Sequence, residues 1–186
     1  MEQKCINSIT LSSNYNRLLC YQKAVVVYDL THHFCSRFIK SSDRTCDQMI
    51  QAARSGKQNI VEGYGNLATS KEMGIKLLKV SHGSHMKLLE DYYDYLRVRG
   101  LRLWDKESRE AKAMSQLGKE NNDPQYFVSL AESRTDETIA NMAIILIKQC
   151  MILTQKYIER TIENFTQEGG FREKMTKIRL NIRNGQ

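Results

Sequence analysis

TCDQMIQAARSGKQNIVEGYG, residues 45–65, is the stretch that decides the fold class. Wound as a helix of about 3.6 residues per turn, it separates into two rows. Cys46, Met49, Ala53, Gly56 and Ile60 form a small or apolar row, and Thr45, Gln48, Ala52, Ser55, Asn59 and Glu62 form a small or polar row beside it. A glycine in mid-helix costs about 1 kcal/mol relative to alanine. Gly56 therefore requires a reason, and close approach of a second backbone, with Ala52, Ala53 and Ser55 alongside, is the expected one. Polar groups on such a face need partners, because a buried unpaired one costs about 1–3 kcal/mol. Two roles fit Gln48, Ala52, Ser55, Gly56, Asn59 and Glu62. One is a helix–helix hydrogen-bond network that fixes register. The other is a ligand or subunit contact.

The rest of the chain has the same helical character. Its 186 residues suffice for one domain with a proper core and an appendage. Proline occurs once, at Pro124, and strand-like alternation of β-branched residues is absent. The class is all-α. A net charge of +7 and a pI near 9.2 point to a polyanionic partner such as nucleic acid. The five cysteines, Cys5, Cys20, Cys35, Cys46 and Cys150, are widely spaced with no Cys-x-x-Cys, which suits a reducing cytoplasm with thiols used as small apolar residues. The opening MEQKCINSITLSSNYNR lacks the apolar run of a signal peptide. The most apolar run, 144–153, is interrupted by Lys148 and Gln149 and is shorter than a bilayer span, so no membrane association is expected.

Residues 1–14 are expected to be loosely ordered, residues 15–168 to form the helical body, and residues 169–186 to form a basic tail. A first helix is predicted over 15–39, with the row Leu18, Tyr21, Val25, Tyr28, His32, Cys35 and Ile39 facing inward. Ser41-Ser42-Asp43 supplies its stop and the next N-cap. The second helix ends in Gly63-Tyr64-Gly65, where glycine permits a left-handed turn. Thr69 and Glu72 have capping-box spacing for a third helix, reaching about Arg99 with Leu78, His82, His85, Leu89, Tyr92 and Leu96 inward and Gly100 as its stop. A short helix follows over 105–117, then a break at 118–124. Asp123-Pro124 reads as the N-cap and first residue of a short segment to about 133. The last helix runs over 136–165. It is apolar on nearly all sides from Ile139 to Leu153, so it must be covered all round, by a second subunit or by the short insert helices.

Histidines invite a metal hypothesis, because His32, His33, His82 and His85 fall on two helices that should be neighbours. Carboxylate-bridged di-metal bundles, however, carry Glu-x-x-His, and none occurs here. His32, His85 and Cys35 sit on apolar rows and read as core residues. No phosphate loop or dinucleotide fingerprint is present. The reading is of a protein without catalytic residues, metal or cofactor. The basic residues remain. Arg54 and Lys57 share one face of the second helix. Arg97, Arg99, Arg102, Lys106 and Arg109 cluster where the third helix ends, with Asp91, Asp94, Asp105, Glu107 and Glu110 interleaved. The tail carries Arg172, Lys174, Lys177, Arg179 and Arg183 against Glu173 alone, a local +4, with Met175, Ile178 and Ile182 forming an apolar stripe. Such groups make salt-sensitive, sequence-independent phosphate contacts.

Tyr21-Gln-Lys-Ala, Gln51-Ala-Ala-Arg-Ser, Asn59-Ile-Val-Glu-Gly63, Glu72, Ser81-x-Gly83-Ser84 and Leu88-Leu-Glu90 occur in order across three helices. In these residues the chain resembles the bacterial four-helix bundle family. That family includes proteins encoded in intervening sequences of 23S ribosomal RNA genes and the accessory variability protein of diversity-generating retroelements. The segment from Glu168 to Met175 is similar to the family variant with a C-terminal four-helix-bundle suffix. The resemblance implies an antiparallel up-down four-helix bundle, here with a short helical insert and a basic tail. It also implies assembly as a ring, commonly a homopentamer, non-catalytic binding of nucleic acid, RNA rather than DNA, and possible service to a reverse transcriptase. The competing expectation is a protein-interaction module in which the Met175, Ile178 and Ile182 stripe docks in a partner's groove.

Overall fold

A computed structural model of the chain describes residues 14–40, 42–168 and Leu180. Its described residues are all-helical. A 3-10 turn, Asn14–Arg17, precedes α1 (Leu19–Phe38), α2 (Arg44–Asn66), α3 (Lys71–Val98), α4 (Arg109–Glu120), α5 (Pro124–Ala131) and α6 (Asp136–Glu168). Side-chain caps start α2, α3, α4 and α5, whereas α1 follows Leu18 without one. Asp43, Ser108 and Asp123 accept the backbone N–H of Thr45, Ala111 and Gln125, the N-cap arrangement that satisfies an orphan donor. The cap of α3 is Ser70, which accepts from Met73 N. It lies one residue beyond the expected Thr69, whose hydroxyl instead donates back to Asn66 O.

Packing joins the four long helices in a closed cycle, with α1 on α2, α2 on α3, α3 on α6 and α6 on α1. Residue numbers run oppositely across the contacts. Ser55 meets Ser84 and Gly56 meets Ser81 between α2 and α3. Tyr95 meets Asp136 and His85 meets Cys150 between α3 and α6. The core is built on Val27, Leu30 and Phe34 of α1, Met49, Ala53 and Ile60 of α2, Leu78, Leu88 and Tyr92 of α3, and Ile139, Leu146 and Ile147 of α6. Phe34 meets Tyr92 in a tilted contact and Tyr95 edge to face.

The two short helices finish the enclosure. α4 lies on α6, and α5 lies on α1. Most of the apolar girth of α6 is thus covered within one chain, with the insert helix α4 taking the side that α1 and α3 leave open, while Ile152 stays 55% exposed. By length and composition, Asp136–Asn164 is long and apolar enough to cross a membrane, contrary to the estimate from the interrupted apolar run, and 56% of its most apolar stretch is buried inside the protein.

Several expectations change. The buried residues of α1 are Cys20, Lys23, Ala24, Val26, Val27, Leu30, Thr31, Phe34 and Cys35; Cys35 and Ile39 are buried as expected, whereas Tyr21 and Tyr28 are half-buried and His32 is exposed. Gly63 and Gly65 are both helical, and the left-handed glycine among the described residues is Gly100, at φ 64°. Gly63 serves a different purpose. A Cβ there would meet Gly74 O at 3.1 Å, and one on Gly74 would meet Gly63 O at 2.8 Å, so α2 and α3 touch backbone to backbone at this point. Gly118, expected in a break, lies inside α4 and is buried.

Candidate functional site

The α2 face singled out from the sequence is divided between the core and an open cleft. Gly56 is buried because the ring of His85 lies over it: a Cβ at position 56 would stand 2.5 Å from His85 Cε1. The space is filled by a side chain rather than by the second backbone expected, although Ser81 Oγ also donates to Gly56 O at 2.7 Å. Ser55 Oγ and Ser84 Oγ lie 3.0 Å apart, and Asn59 Nδ2 donates to Ser55 O and Ser55 Oγ on its own helix. Gln48 and Glu62 are exposed, so they need no buried partner. Gln48, Ala52 and Ser55 open on a cleft between α2 and α3 that Lys87 and Asp91 also line. Burial and the neighbouring Asp94 and Glu90 raise the Asp91 carboxyl above its ordinary value.

His85 is fully buried. Its Nε2 lies 3.7 Å from Cys150 Sγ, its Nδ1 has no hydrogen-bond partner, and burial pushes its pKa down to about 4. It is a neutral core imidazole. His32 is exposed, and burial together with Arg37 lowers His33. Among the described residues, no group of three or more His, Cys, Asp or Glu side chains is placed to hold a metal ion. Cys20, Cys35, Cys46 and Cys150 are free thiols.

The basic candidates separate by what holds them. Arg97 pairs with Asp94 at 2.6 Å and Arg102 with Glu110 at 3.5 Å. The Arg99 guanidinium stacks on Tyr95, 3.8 Å from the ring centroid, and Lys57 Nζ lies 4.0 Å from the Tyr28 centroid. Arg54 is exposed, with no ion pair among the described residues. Arg54 and Lys57 do lie near one another on α2, whereas at the end of α3 Arg97 and Arg102 are each paired with a carboxylate. Arg172, Lys174, Lys177, Arg179 and Arg183 lie outside the described residues.

Sequence reasoning missed Lys23. It is 1% exposed, donates to Gly118 O at 2.5 Å and Asn121 O at 3.0 Å, and lies over Phe127. The ammonium takes up carbonyls left open at the C-terminal end of α4, where a cation is favoured. Burial pushes its pKa down to about 8. Asn141 was missed as well. It is 1% exposed and holds the strap after α3 through Trp104 N, which it accepts at 2.8 Å, and Arg102 O, to which it donates at 2.8 Å. Neither residue carries a local sequence signal, since both answer backbone groups distant in the chain.

No family model, curated protein or solved structure matches the chain.

Proposed function

We propose that the chain is a non-catalytic, self-associating nucleic-acid-binding accessory protein of the cytoplasm, built on an antiparallel up-down four-helix bundle, with RNA preferred over DNA. The closed cycle of antiparallel contacts among α1, α2, α3 and α6 supports the bundle reading. The observation that carries the binding reading is the placement of charge. The tail between Phe171 and Arg183 contributes +4 of the chain's +7, nearly free of acid. In the body, Arg97 and Arg102 are engaged with carboxylates while Arg54 is open to solvent. The polyanion contact therefore centres on the tail, with Arg54 and Lys57 as its extension. The family resemblance supplies the preference for RNA and a reverse transcriptase as the associated protein.

Self-association has support in one apolar strip. Met86, Leu89 and Tyr93 share a face of α3 by their spacing, as do Ile145, Lys148 and Ile152 on α6, and Lys148 Nζ lies 5.5 Å from the Tyr93 ring centroid. Met86 is 51% exposed and Ile152 55% exposed. A ring, commonly a pentamer in the resembling family, would use such a strip.

The test is a salt titration of binding to a folded RNA of about 100 nucleotides with matched duplex DNA alongside, because the log–log slope counts phosphate contacts. Arg172→Glu, Lys177→Glu and Arg179→Glu together should weaken RNA binding and reduce the slope by about 2–3. An unchanged slope removes the tail from the interface. Equal, low-salt-only binding of RNA and DNA removes the nucleic-acid reading altogether. Light scattering on the same sample reads the assembly size.

A further inference from the structure

The insert helices do more than cover α6. α4 follows α6 from Met114 beside Met142 to Gly118 beside Leu146, while α5 returns along α1. Between them lies a cleft of about 600 Å³. Trp104, Met114, Leu117, Leu130 and Met142 make its walls. Trp104 is held there by Asn141, which is buried and fully engaged with the strap and its own helix. Two methionines in one small apolar groove give a surface that adapts to different apolar side chains.

The mouth is positive. Arg109 and Arg134 both border the cleft, both are exposed, and among the described residues neither forms an ion pair. Glu110, the acid at the same mouth, is engaged by Arg102. Arg109 is the first residue of α4, and Arg134 just precedes α6. A cation at a helix N-terminus opposes the macrodipole by about 0.3–1 kcal/mol, so Arg109 is not placed for the stability of α4, while Arg134 also follows the C-terminal end of α5, its N–H donating to Ala131 O. An apolar floor beneath two free guanidinium groups matches an apolar side chain flanked by carboxylates.

We infer that this cleft docks a short acidic peptide segment of a partner protein, with one bulky apolar side chain on Met114 and Met142 and flanking carboxylates on Arg109 and Arg134. Charge complementarity selects the occupant. The chain's own C-terminal segment carries five basic residues and one acid between Phe171 and Arg183, and would face the arginines with like charge. The residues that line this cleft include neither Arg54 nor any of the basic residues assigned to nucleic-acid binding, so the inference stands whether or not the nucleic-acid reading does.

Selection of displayed random dodecapeptides on the full chain tests the inference. Enriched peptides should place Asp or Glu beside Leu, Ile or Phe. When synthesised, they should shift the emission of Trp104, the chain's single tryptophan. Arg109→Glu with Arg134→Glu should weaken them by about tenfold or more, and surface positions make this variant safe for folding. No enrichment overturns the inference, as do enriched peptides without acids and peptides that bind both proteins equally. Displacement of a bound peptide by the folded RNA, with affinity for RNA lost in the double variant, would assign the cleft to nucleic acid instead.

Discussion

The imidazole of His85 occupies the volume that a side chain at position 56 would need, with its Cε1, Nε2 and Nδ1 all within 2.9 Å of where a Cβ on Gly56 would stand. The mid-helix glycine of α2 and the buried histidine of α3 are therefore one feature.

Gly56→Ala should destabilise the protein by about 1–3 kcal/mol, the usual penalty for overpacking, even though alanine is the better helix former by about 1 kcal/mol. Denaturant midpoints measure it. In a His85→Ala background the same substitution should be neutral or stabilising, and the coupling between the two should reach about 0.5–3 kcal/mol. Additive effects would mean that the ring does not enforce the glycine.

Burial holds the His85 pKa down from 6.5 to about 4. The unfolded chain takes up a proton near pH 6.5 that the folded chain refuses until about pH 4, so stability is complete above 6.5 and falls as the pH drops through this window. At about 1.4 kcal/mol per pH unit, the loss amounts to about 3 kcal/mol. His85→Leu should flatten that part of the stability–pH curve. An unchanged slope between pH 6.5 and 4 would show that carboxylates carry the acid sensitivity.

Two helix starts were legible because their causes are local, whereas the helix expected from 105 begins at Arg109 behind Ser108 and the one expected from 15 begins at Leu19. Asp43, and Asp123 before Pro124, announce caps within two residues of the donors they satisfy. The faces were less so. A strict heptad reading of α1 put His32 inside, whereas the buried row passes through Phe34 and Thr31. The heptad follows a straight seam between two helices. α1 is gripped by α2, α5 and α6 at once, so its buried stripe is wider and rotated. Gly63 and Gly118 looked like breaks because a glycine that ends a helix and one that admits a neighbour are the same letter. Which it is depends on Gly74 and Gln149, residues on other helices. For the candidate site, Ser55 was marked by its place in the polar row of α2, but its partner Ser84 depends on the register of α2 against α3. The neutralisation of Arg97 and Arg102 was foreshadowed by interleaved acids. The cleft under Trp104 was not, since it exists only once α4 and α5 fold back.

Lys23 ties the insert to α1. Lys23→Met should leave Gly118 O and Asn121 O without their donor, at a cost of about 1–3 kcal/mol. Hydrogen exchange should quicken in the last turn of α4 before it does in α2 or α3. The pH dependence has its own sign. With a folded pKa of about 8 against 10.5, the unfolded chain holds the proton that the folded chain has released, so Lys23 adds stability as the pH rises from 8 to 10.5. The difference between wild type and Lys23→Met should widen over that range. A constant difference would mean that the ammonium is not desolvated.

Thiol reactivity separates the surface of the helical body from its core. Burial pushes the Cys20 and Cys35 thiols up to about 11 and about 12, and Cys150 higher still, while Cys46 in the first turn of α2 is partly open to solvent. The thiolate is the reactive form. In a Cys5→Ser variant at pH 8, an aromatic disulfide reagent should therefore label Cys46 in the folded protein and the other three only through opening. Cys20 and Cys35 lie on α1, and Cys150 lies on α6. If the cycle of four helices opens as one unit, the three slow thiols share a single rate, and that rate falls as stability is raised. Earlier labelling of Cys20 and Cys35 would identify α1 as a separate unfolding unit. Immediate labelling of all four would contradict the packed core in which Cys150 touches both His85 and the carbonyl of Cys20.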